Sequence, residues 1–311
     1  MDGGAVNIAI AYLNKFFSAL FEVVGRLYIF NWFSPPVKEV VRNVKYADES
    51  RKQTLDIYVP FGKPPFPVMV YIHGGAFHLM DKKSYNRVAR CFASMGYLVL
   101  NINYRLAPRC MFPIAYEDVD MAVAWGRDNA VRYGGDASRM VLAGDSAGAT
   151  LASMYTSVLH SPKLLETFSI QGAVAPETVK GLLLFYGGYD LETILDTGFP
   201  MIKRYCKGFF GYDPQVYAAR VEIASTARHV DAGYPPVFLS SSDTDHLHTE
   251  SVAFERVLSE AEVPHTTQFF NKKDHPIAYK RHGYLNVSFG ELSRLAFKEA
   301  KKFLAGLESR E

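Results

Sequence analysis

The chain has 311 residues, of which 49% are hydrophobic, and a formal net charge of +2 at pH 7. This length and composition suffice for one large core, and the small net charge gives no reason to expect nucleic acid as a partner. Cys91, Cys110 and Cys206 are widely spaced, so they indicate neither a disulfide framework nor a metal site and favour a reducing, cytoplasmic location.

The N-terminal stretch, residues 5–33, is rich in apolar and aromatic side chains. Polar residues such as Lys15 and Glu22 interrupt it, whereas a transmembrane helix needs about twenty mainly apolar residues. The acidic start at Asp2 does not fit the basic start of a signal peptide. The pattern favours an amphipathic helix, and contact of this segment with a membrane surface stays open.

A glycine-rich loop follows the first clear strand pattern. Residues 67–72 form an apolar run of strand type, and the sequence HGGAF follows at 73–77. Because glycine lets the backbone approach a substrate without a Cβ in the way, such a loop suits N–H groups that bind an oxyanion. Gly74 and Gly75 are the predicted donors, and His73 is predicted to brace the loop.

The most informative motif is GDSAG at 144–148. It lies between an apolar run of strand type at 140–143 and a helix-forming stretch rich in small residues at 149–155. A strand, a G-x-S-x-G and a helix form the nucleophile elbow, a turn so tight that glycine flanks the serine. We therefore predict Ser146 as the nucleophile of an acyl-transfer reaction and the N–H of Ala147 as a further oxyanion donor.

The acid of this arrangement follows the serine along the chain and precedes the base. Residues 236–242 have the pattern of a strand, and two aspartates, Asp243 and Asp245, lie just after it. Both positions are compatible with an acid at the end of a strand. Asp145, beside the nucleophile, is expected to be structural and hydrogen-bonded to nearby backbone.

The base is expected last in the chain. Residues 266–270 form a β-type run, and His275 lies in the loop just beyond it, from which a histidine could reach back to the serine. His275 is therefore the predicted base that takes the proton of the serine. His282, slightly further on, is the weaker alternative, and His265 precedes the strand and would lie at the wrong end of the sheet.

Apolar β-type runs alternate with helical stretches from about residue 55 to about residue 305. Further runs lie at 97–102 and 181–186, and a last helix is predicted at 292–307. This alternation predicts a single α/β domain with a mostly parallel sheet and helices on both faces.

These motifs together resemble the hormone-sensitive-lipase-like branch of the α/β-hydrolase superfamily, esterases whose oxyanion motif is HGGG and whose elbow is GDSAG. The sequence YRLAP at 104–108 is also similar to the family's pattern, and the likeness runs from about residue 55 onwards. The chain departs from the pattern in three places. Ala76 replaces the third glycine of HGGG, His246 replaces the proline usual after the acid, and Pro276 follows the predicted base.

The resemblance implies an α/β-hydrolase fold with an eight-stranded sheet and a helical cap, built from about residues 1–45 and about residues 189–234. It also implies Asp245 as the acid. The expected function is a serine carboxylesterase that hydrolyses short- to medium-chain acyl esters through an acyl-enzyme, without cofactor or metal. An amidase, formamidase or deacetylase of a specific metabolite, a membrane-surface lipase and a non-enzymatic ligand receptor are the alternatives, and a homodimer stays open.

Overall fold

A single sheet of eight strands runs through residues 31–276, 278 and 281–309, the part of the chain that the computed structural model describes. The strands are Glu39–Lys45 (β1), Thr54–Val59 (β2), Phe66–Ile72 (β3), Leu98–Ile102 (β4), Gly135–Asp145 (β5), Val179–Phe185 (β6), Val237–Ser242 (β7) and His265–Phe270 (β8). Their order is β1-β2-β4-β3-β5-β6-β7-β8. β2 is antiparallel to both of its neighbours, and all other neighbouring pairs are parallel.

The apolar runs of the sequence lie on the central strands, and every residue of β3 and β4 is buried. Continuous burial is what a parallel sheet covered on both faces requires. The runs predicted from residue 67 onwards therefore coincide with β3 to β8 to within two residues, except that β5 is longer than the apolar run at 140–143. The prediction of a mostly parallel α/β sheet is confirmed.

The edge strand β1 was not predicted from the sequence. Its residues are exposed or half-buried along its whole length, so it lacks a continuous apolar run. Its register against β2 also shifts between Val41 and Val44, which interrupts the alternation that would mark a strand.

Eight α-helices are present in the described ranges. They are Asn86–Ala93 (α1), Ile114–Asn129 (α2), Ala147–Leu159 (α3), Pro162–Phe168 (α4), Ile202–Phe210 (α5), Pro214–Ala224 (α6), His248–Glu260 (α7) and Glu291–Glu308 (α8). The last of these confirms the helix predicted at 292–307. Within the described residues, no helix is both long and apolar enough to cross a membrane.

The helices cover both faces of the sheet, and the side chains of β3 alternate between two cores. Val68 and Val70 belong to a core shared with α2, α3 and α7, whereas Met69 and Tyr71 belong to a second core shared with α1 and α8. This alternation follows from the period of two residues in a strand. It fixes β3 and β5, the two strands that lead into the predicted site, in the middle of three layers.

An insertion between β6 and β7 carries α5 and α6, within the range 189–234 predicted as part of a cap. Its two ends are joined, because the Ala227 N–H donates to the Tyr189 carbonyl at 3.0 Å and the Leu191 N–H donates to Ser225 Oγ at 3.0 Å. The buried Glu250 carboxylate accepts the N–H of Tyr189 at 3.2 Å and ties the insertion to α7. The other predicted part of the cap lies largely outside the described residues, so the cap as a whole stays a prediction.

Candidate active site

Ser146 lies at a sharp turn between β5 and α3, with φ 50° and ψ −124°. The flanking glycines are required by the space around them. A Cβ on Gly148 would lie 2.0 Å from the Ile72 carbonyl oxygen, and one on Gly144 would lie 2.5 Å from the Gly148 backbone. The serine N–H donates to the Phe185 carbonyl at 2.8 Å, which ties the turn to β6. The geometry is the strand–turn–helix arrangement that the GDSAG motif predicts.

His282 is the histidine that contacts the serine. Its Nε2 lies 2.8 Å from Ser146 Oγ, and its Nδ1 lies 2.9 Å from Asp245 Oδ2. Asp245 is buried, follows β7 at the same edge of the sheet, and also accepts the Leu247 N–H at 2.9 Å. The structure thus brings Ser146, His282 and Asp245 into one hydrogen-bonded row.

The expectation that His275 is the base is corrected by this geometry. His275 lies beyond β8, with its ring against Phe270 and its Nδ1 3.4 Å from Glu291. Strand β8 is the edge of the sheet, three strands from β5, which is a distance of about 14 Å at the usual strand spacing. His275 therefore stays beside β8, whereas His282, seven residues later in the chain, reaches the serine.

Asp243, the other candidate acid, points away from this row. Its carboxylate accepts the Lys272 N–H at 2.7 Å, and the residue is exposed. It therefore holds the start of the loop after β8 instead of contacting a histidine of the site.

The HGGAF loop lies against the serine. A Cβ on Gly74 would lie 3.1 Å from Ser146 Cβ and 2.8 Å from the Asp145 carbonyl oxygen. The Gly74 N–H, however, donates to Asp145 Oδ1 at 3.0 Å, so it is not directed at a bound substrate and its assignment as an oxyanion donor is corrected. Among the described residues, the N–H groups of Gly75, Ala76 and Ala147 have no hydrogen-bond acceptor.

Gly75 needs its missing side chain for a further reason. Its φ is +118°, and a Cβ there would lie 2.2 Å from the Leu79 carbonyl oxygen. The N–H groups of His78 and Leu79 both donate to the Gly75 carbonyl, at 3.0 and 2.9 Å. The loop therefore turns tightly back on itself just after the glycine pair.

Asp145 is a buried structural carboxylate, as expected. Besides the Gly74 N–H, it accepts the hydroxyls of Tyr71 and Tyr85, each at 3.0 Å. Burial raises the pKa of the Asp145 carboxyl to about 6, although the three hydrogen bonds favour its charged form. The two tyrosines were not identified from the sequence, because a tyrosine in an apolar strand or helix has no pattern that distinguishes it from a core residue.

His73 braces the loop, as predicted. Its ring stacks on Tyr104, with ring centroids 4.4 Å apart, and its Nδ1 lies 2.7 Å from the Gly74 carbonyl oxygen. The Tyr104 hydroxyl in turn donates to the His73 carbonyl at 2.9 Å. Tyr104 begins the YRLAP sequence, so that motif contacts and supports the HGGAF loop.

Two aromatic rings flank His282. The ring centroid of Tyr186, at the end of β6, lies 4.9 Å from that of the imidazole, and that of Phe199, from the insertion, lies 4.8 Å from it. Both rings meet the imidazole edge to face. The insertion therefore contributes part of the wall around the histidine.

The sheet topology, the elbow and the histidine–aspartate pair that faces it define an α/β hydrolase of the hormone-sensitive-lipase-like type. The profile of the BD-FAE family matches residues 55–258, and the chain belongs to this family. The resemblance drawn from the HGGAF and GDSAG motifs is thereby confirmed.

The chain is similar in sequence to proteins named as esterases. The chain is similar to esterase LipQ of Mycobacterium tuberculosis, with 29% identity over 230 residues that cover 70% of this chain and 52% of that protein. It is also similar to carboxylesterase NlhH of the same organism, with 28% identity over 236 residues that cover 74% of this chain and 70% of that protein. The chain spans about half the length of LipQ and of the carboxylic ester hydrolase LipM.

Among solved structures, the fold resembles that of esterase B from Lactobacillus rhamnosis. The two share 21% sequence identity and superpose with a TM-score of 0.85, covering 100% of this chain and 98% of that one. An esterase from Pyrobaculum calidifontis superposes with a TM-score of 0.74 at 23% identity, covering 95% of this chain and 93% of that one. These similarities confirm the α/β-hydrolase fold.

Proposed function

We propose that the chain is a serine carboxylesterase that cleaves short- to medium-chain acyl esters through an acyl-enzyme on Ser146. The observation that carries the proposal is the 2.8 Å contact between Ser146 Oγ and His282 Nε2 at the end of β5. The esterase names of the relatives support the same reaction class.

The contacts of His282 define how it would act as a base. Its Nδ1 faces the Asp245 carboxylate, so Nδ1 carries the proton and Nε2 offers its lone pair to the serine hydroxyl. In our proposal, Nε2 takes the serine proton as Oγ attacks the ester carbonyl, and returns it to the departing alcohol. Asp245 keeps the imidazole in this tautomer and stabilises the imidazolium.

The oxyanion of the tetrahedral intermediate needs N–H donors that are not already used. Gly75, Ala76 and Ala147 meet this condition among the described residues, and the loop that carries the first two lies against the serine. We assign these three N–H groups to the oxyanion hole. Each such donor typically contributes about a hundred- to a thousandfold in rate.

The choice of short to medium acyl chains rests on the family resemblance and on the closed surroundings of the serine. Ser146 is 8% exposed, and aromatic rings from β6 and from the insertion stand on either side of His282.

The test is a panel of p-nitrophenyl esters from acetate to palmitate, measured with wild-type protein and with Ser146→Ala. We expect kcat/KM to be highest for the short and medium esters and to fall by at least about ten-thousandfold in the variant. Full activity of Ser146→Ala would overturn the assignment of the nucleophile.

The same panel separates the other candidate functions. Amides, formamides and acetylated sugars in parallel would reveal an amidase or a deacetylase. A preference for palmitate that appears only with emulsified substrate would indicate a membrane-surface lipase. Binding of esters without any turnover would indicate a receptor and contradict the proposal.

A further inference from the structure

The oxyanion loop carries an unfavourable backbone. Ala76 has φ 51° and Phe77 has φ 64°, so two consecutive residues with side chains adopt the left-handed region that glycine occupies most readily. Such a conformation persists only where surrounding contacts hold it in place. Ala76 stands where the related esterases have a third glycine, which makes the need for external support greater in this chain.

Helix α5 of the insertion supplies one such contact at Phe77. The rings of Phe77 and Phe209 stack with their centroids 4.1 Å apart and an angle of 5° between planes, and both residues are buried. The Phe209 carbonyl also accepts the Phe112 N–H at 2.9 Å, which fixes this end of α5 to the body of the protein. Phe77 is therefore held between the loop and a helix that is itself anchored.

A second contact acts one residue further along the loop, at His78. The His78 Nδ1 lies 2.7 Å from the Ala76 carbonyl oxygen, so the ring holds the carbonyl that follows one of the assigned donors. Its ring centroid lies 5.3 Å from that of Tyr205 in α5. A Cβ on Gly208 would lie 2.4 Å from His78 Nε2, so the imidazole fills the space that this glycine leaves open on the helix.

We propose that α5 positions the oxyanion loop through Phe77 and His78, and that Gly208 is a glycine because His78 must lie against the helix. This inference rests on the proposed function of the loop. It makes α5 a support for the reacting geometry and not only a cover over the substrate. Phe77, His78, Gly208 and Phe209 are positioning residues, because the contacts described for them reach Ser146 only through the backbone of the loop.

The inference predicts a particular kinetic signature. A residue that lines the substrate pocket changes binding of the ester and hence KM, whereas displacement of an oxyanion donor weakens stabilisation of the transition state and lowers kcat. Substitutions in α5 that move His78 should therefore lower kcat at nearly constant KM.

The first test is Gly208→Ala, with Gly306→Ala as the matched control. Both glycines lie inside helices, and a Cβ on Gly306 would meet no atom within 4 Å. We expect kcat of Gly208→Ala to fall by roughly ten- to a hundredfold with KM changed by less than about threefold, since a displaced donor acts on the transition state. Gly306→Ala should match wild type. Unchanged kcat in Gly208→Ala, with circular dichroism of a folded protein, would overturn the proposal.

The second test combines Gly208→Ala with His78→Ala. If the new methyl group acts by pushing His78 away, the double variant should lose no more activity than His78→Ala alone, because residues in contact show non-additive effects. Fully additive losses would show that Gly208 acts by another route. His78→Ala removes a side chain and creates no clash, so it carries the same kinetic expectation if Gly208→Ala does not fold.

Hydrogen–deuterium exchange of the loop gives a readout that needs no substrate. Amides of residues 74–80 should exchange faster in Gly208→Ala and in His78→Ala than in wild type or Gly306→Ala. Equal exchange in all four proteins would overturn the positioning role. If the loop responds but wild type hydrolyses no ester, the proposed esterase function fails and the positioning role stands. If wild type is an esterase and neither kcat nor exchange changes in the variants, the positioning role fails and the proposed esterase function stands.

Discussion

Ser146 and His282 form one hydrogen-bonded pair, but the protein holds them in different ways. The serine is fixed by its own backbone, at a turn where a Cβ on either flanking glycine would overlap backbone atoms within 2.5 Å. The histidine is fixed by distant side chains, namely Asp245, Tyr186 and Phe199. The serine depends on five consecutive positions, whereas the histidine depends on contacts that come, within the described ranges alone, from three separate parts of the chain.

This difference determines how each residue responds to change. Gly144 and Gly148 of the elbow tolerate no added side chain, because a Cβ on either would overlap backbone atoms. The histidine segment, residues 281–286, is also held by Arg87 of α1, Ser293 of α8 and Ser240 of β7, and each of these side chains can be altered singly. Graded losses of activity are therefore expected on the histidine side, and loss of folding is expected when either elbow glycine is replaced.

The largest expected effect distinguishes the two histidines beyond β8. His282→Ala should lower kcat/KM for p-nitrophenyl butyrate by about ten-thousandfold or more, because the proposed general base is lost. His275→Ala should retain activity within about threefold, since its half-buried ring packs on Phe270 and lies near Glu291, away from the serine. Loss of activity in His275→Ala together with full activity in His282→Ala would overturn the assignment of His282 as the base.

A second prediction concerns the buried carboxylate of the elbow. Because the pKa of Asp145 is raised from 3.8 to about 6 in the folded protein, the folded state binds this proton more tightly than the unfolded chain. The resulting stabilisation is complete below about pH 4 and is lost as the pH rises through 6, a change of about 3 kcal/mol.

Asp145→Asn removes this titration. The free energy of unfolding of wild type minus that of the variant, measured by urea denaturation at several pH values, should therefore decrease between pH 4 and pH 7. A difference that does not vary with pH would show that Asp145 has an ordinary pKa in the folded protein.

The smallest expected effect is on the histidine side. The buried Arg87 of α1 donates to the Leu285 carbonyl at 3.3 Å and to Ser293 Oγ at 3.1 Å, close after His282 in the chain. Arg87→Met should lower the free energy of unfolding by about 1–3 kcal/mol, because hydrogen bonds from a charged group are lost. The kcat should fall less than tenfold, since the Ser293 hydroxyl still donates to the same carbonyl at 2.9 Å.

The control is Arg90→Met in the same helix. Arg90 is half-buried and donates to the Pro35 carbonyl at 3.3 Å, away from the histidine segment. It should leave kcat unchanged. Equal kcat values for both arginine variants would mean that α1 does not support His282.

The parts of the fold that the sequence predicts are those that depend on local patterns. Continuous apolar runs identify the buried strands because both of their faces are covered. The GDSAG motif identifies the elbow because its steric requirement involves only neighbouring residues, and β5 and α3 follow from it. The exposed, irregular strand β1 has no such signal.

The rest of the site depends on strand order, which the sequence does not contain. The choice of His275 assumed that the last strand lies near the serine, but β8 is the edge strand and β6 and β7 lie between it and β5. A known strand order would have favoured His282. The prediction that the Gly74 N–H is an oxyanion donor is wrong because this N–H donates to the Asp145 carboxylate of the elbow. That contact joins two loops that are distant in the sequence.

The separation of Ser146 and His282 by 136 positions has a consequence for folding. Contacts between distant positions form slowly, because the chain loses the entropy of the closed loop before the contacts contribute stabilisation. The elbow can form once β3, β5 and α3 are packed, but the imidazole arrives only after the edge strand β8 has joined the sheet and the chain has crossed back over its end. We therefore expect the hydrogen bond between these two residues to form late in folding, after β8 has joined the sheet.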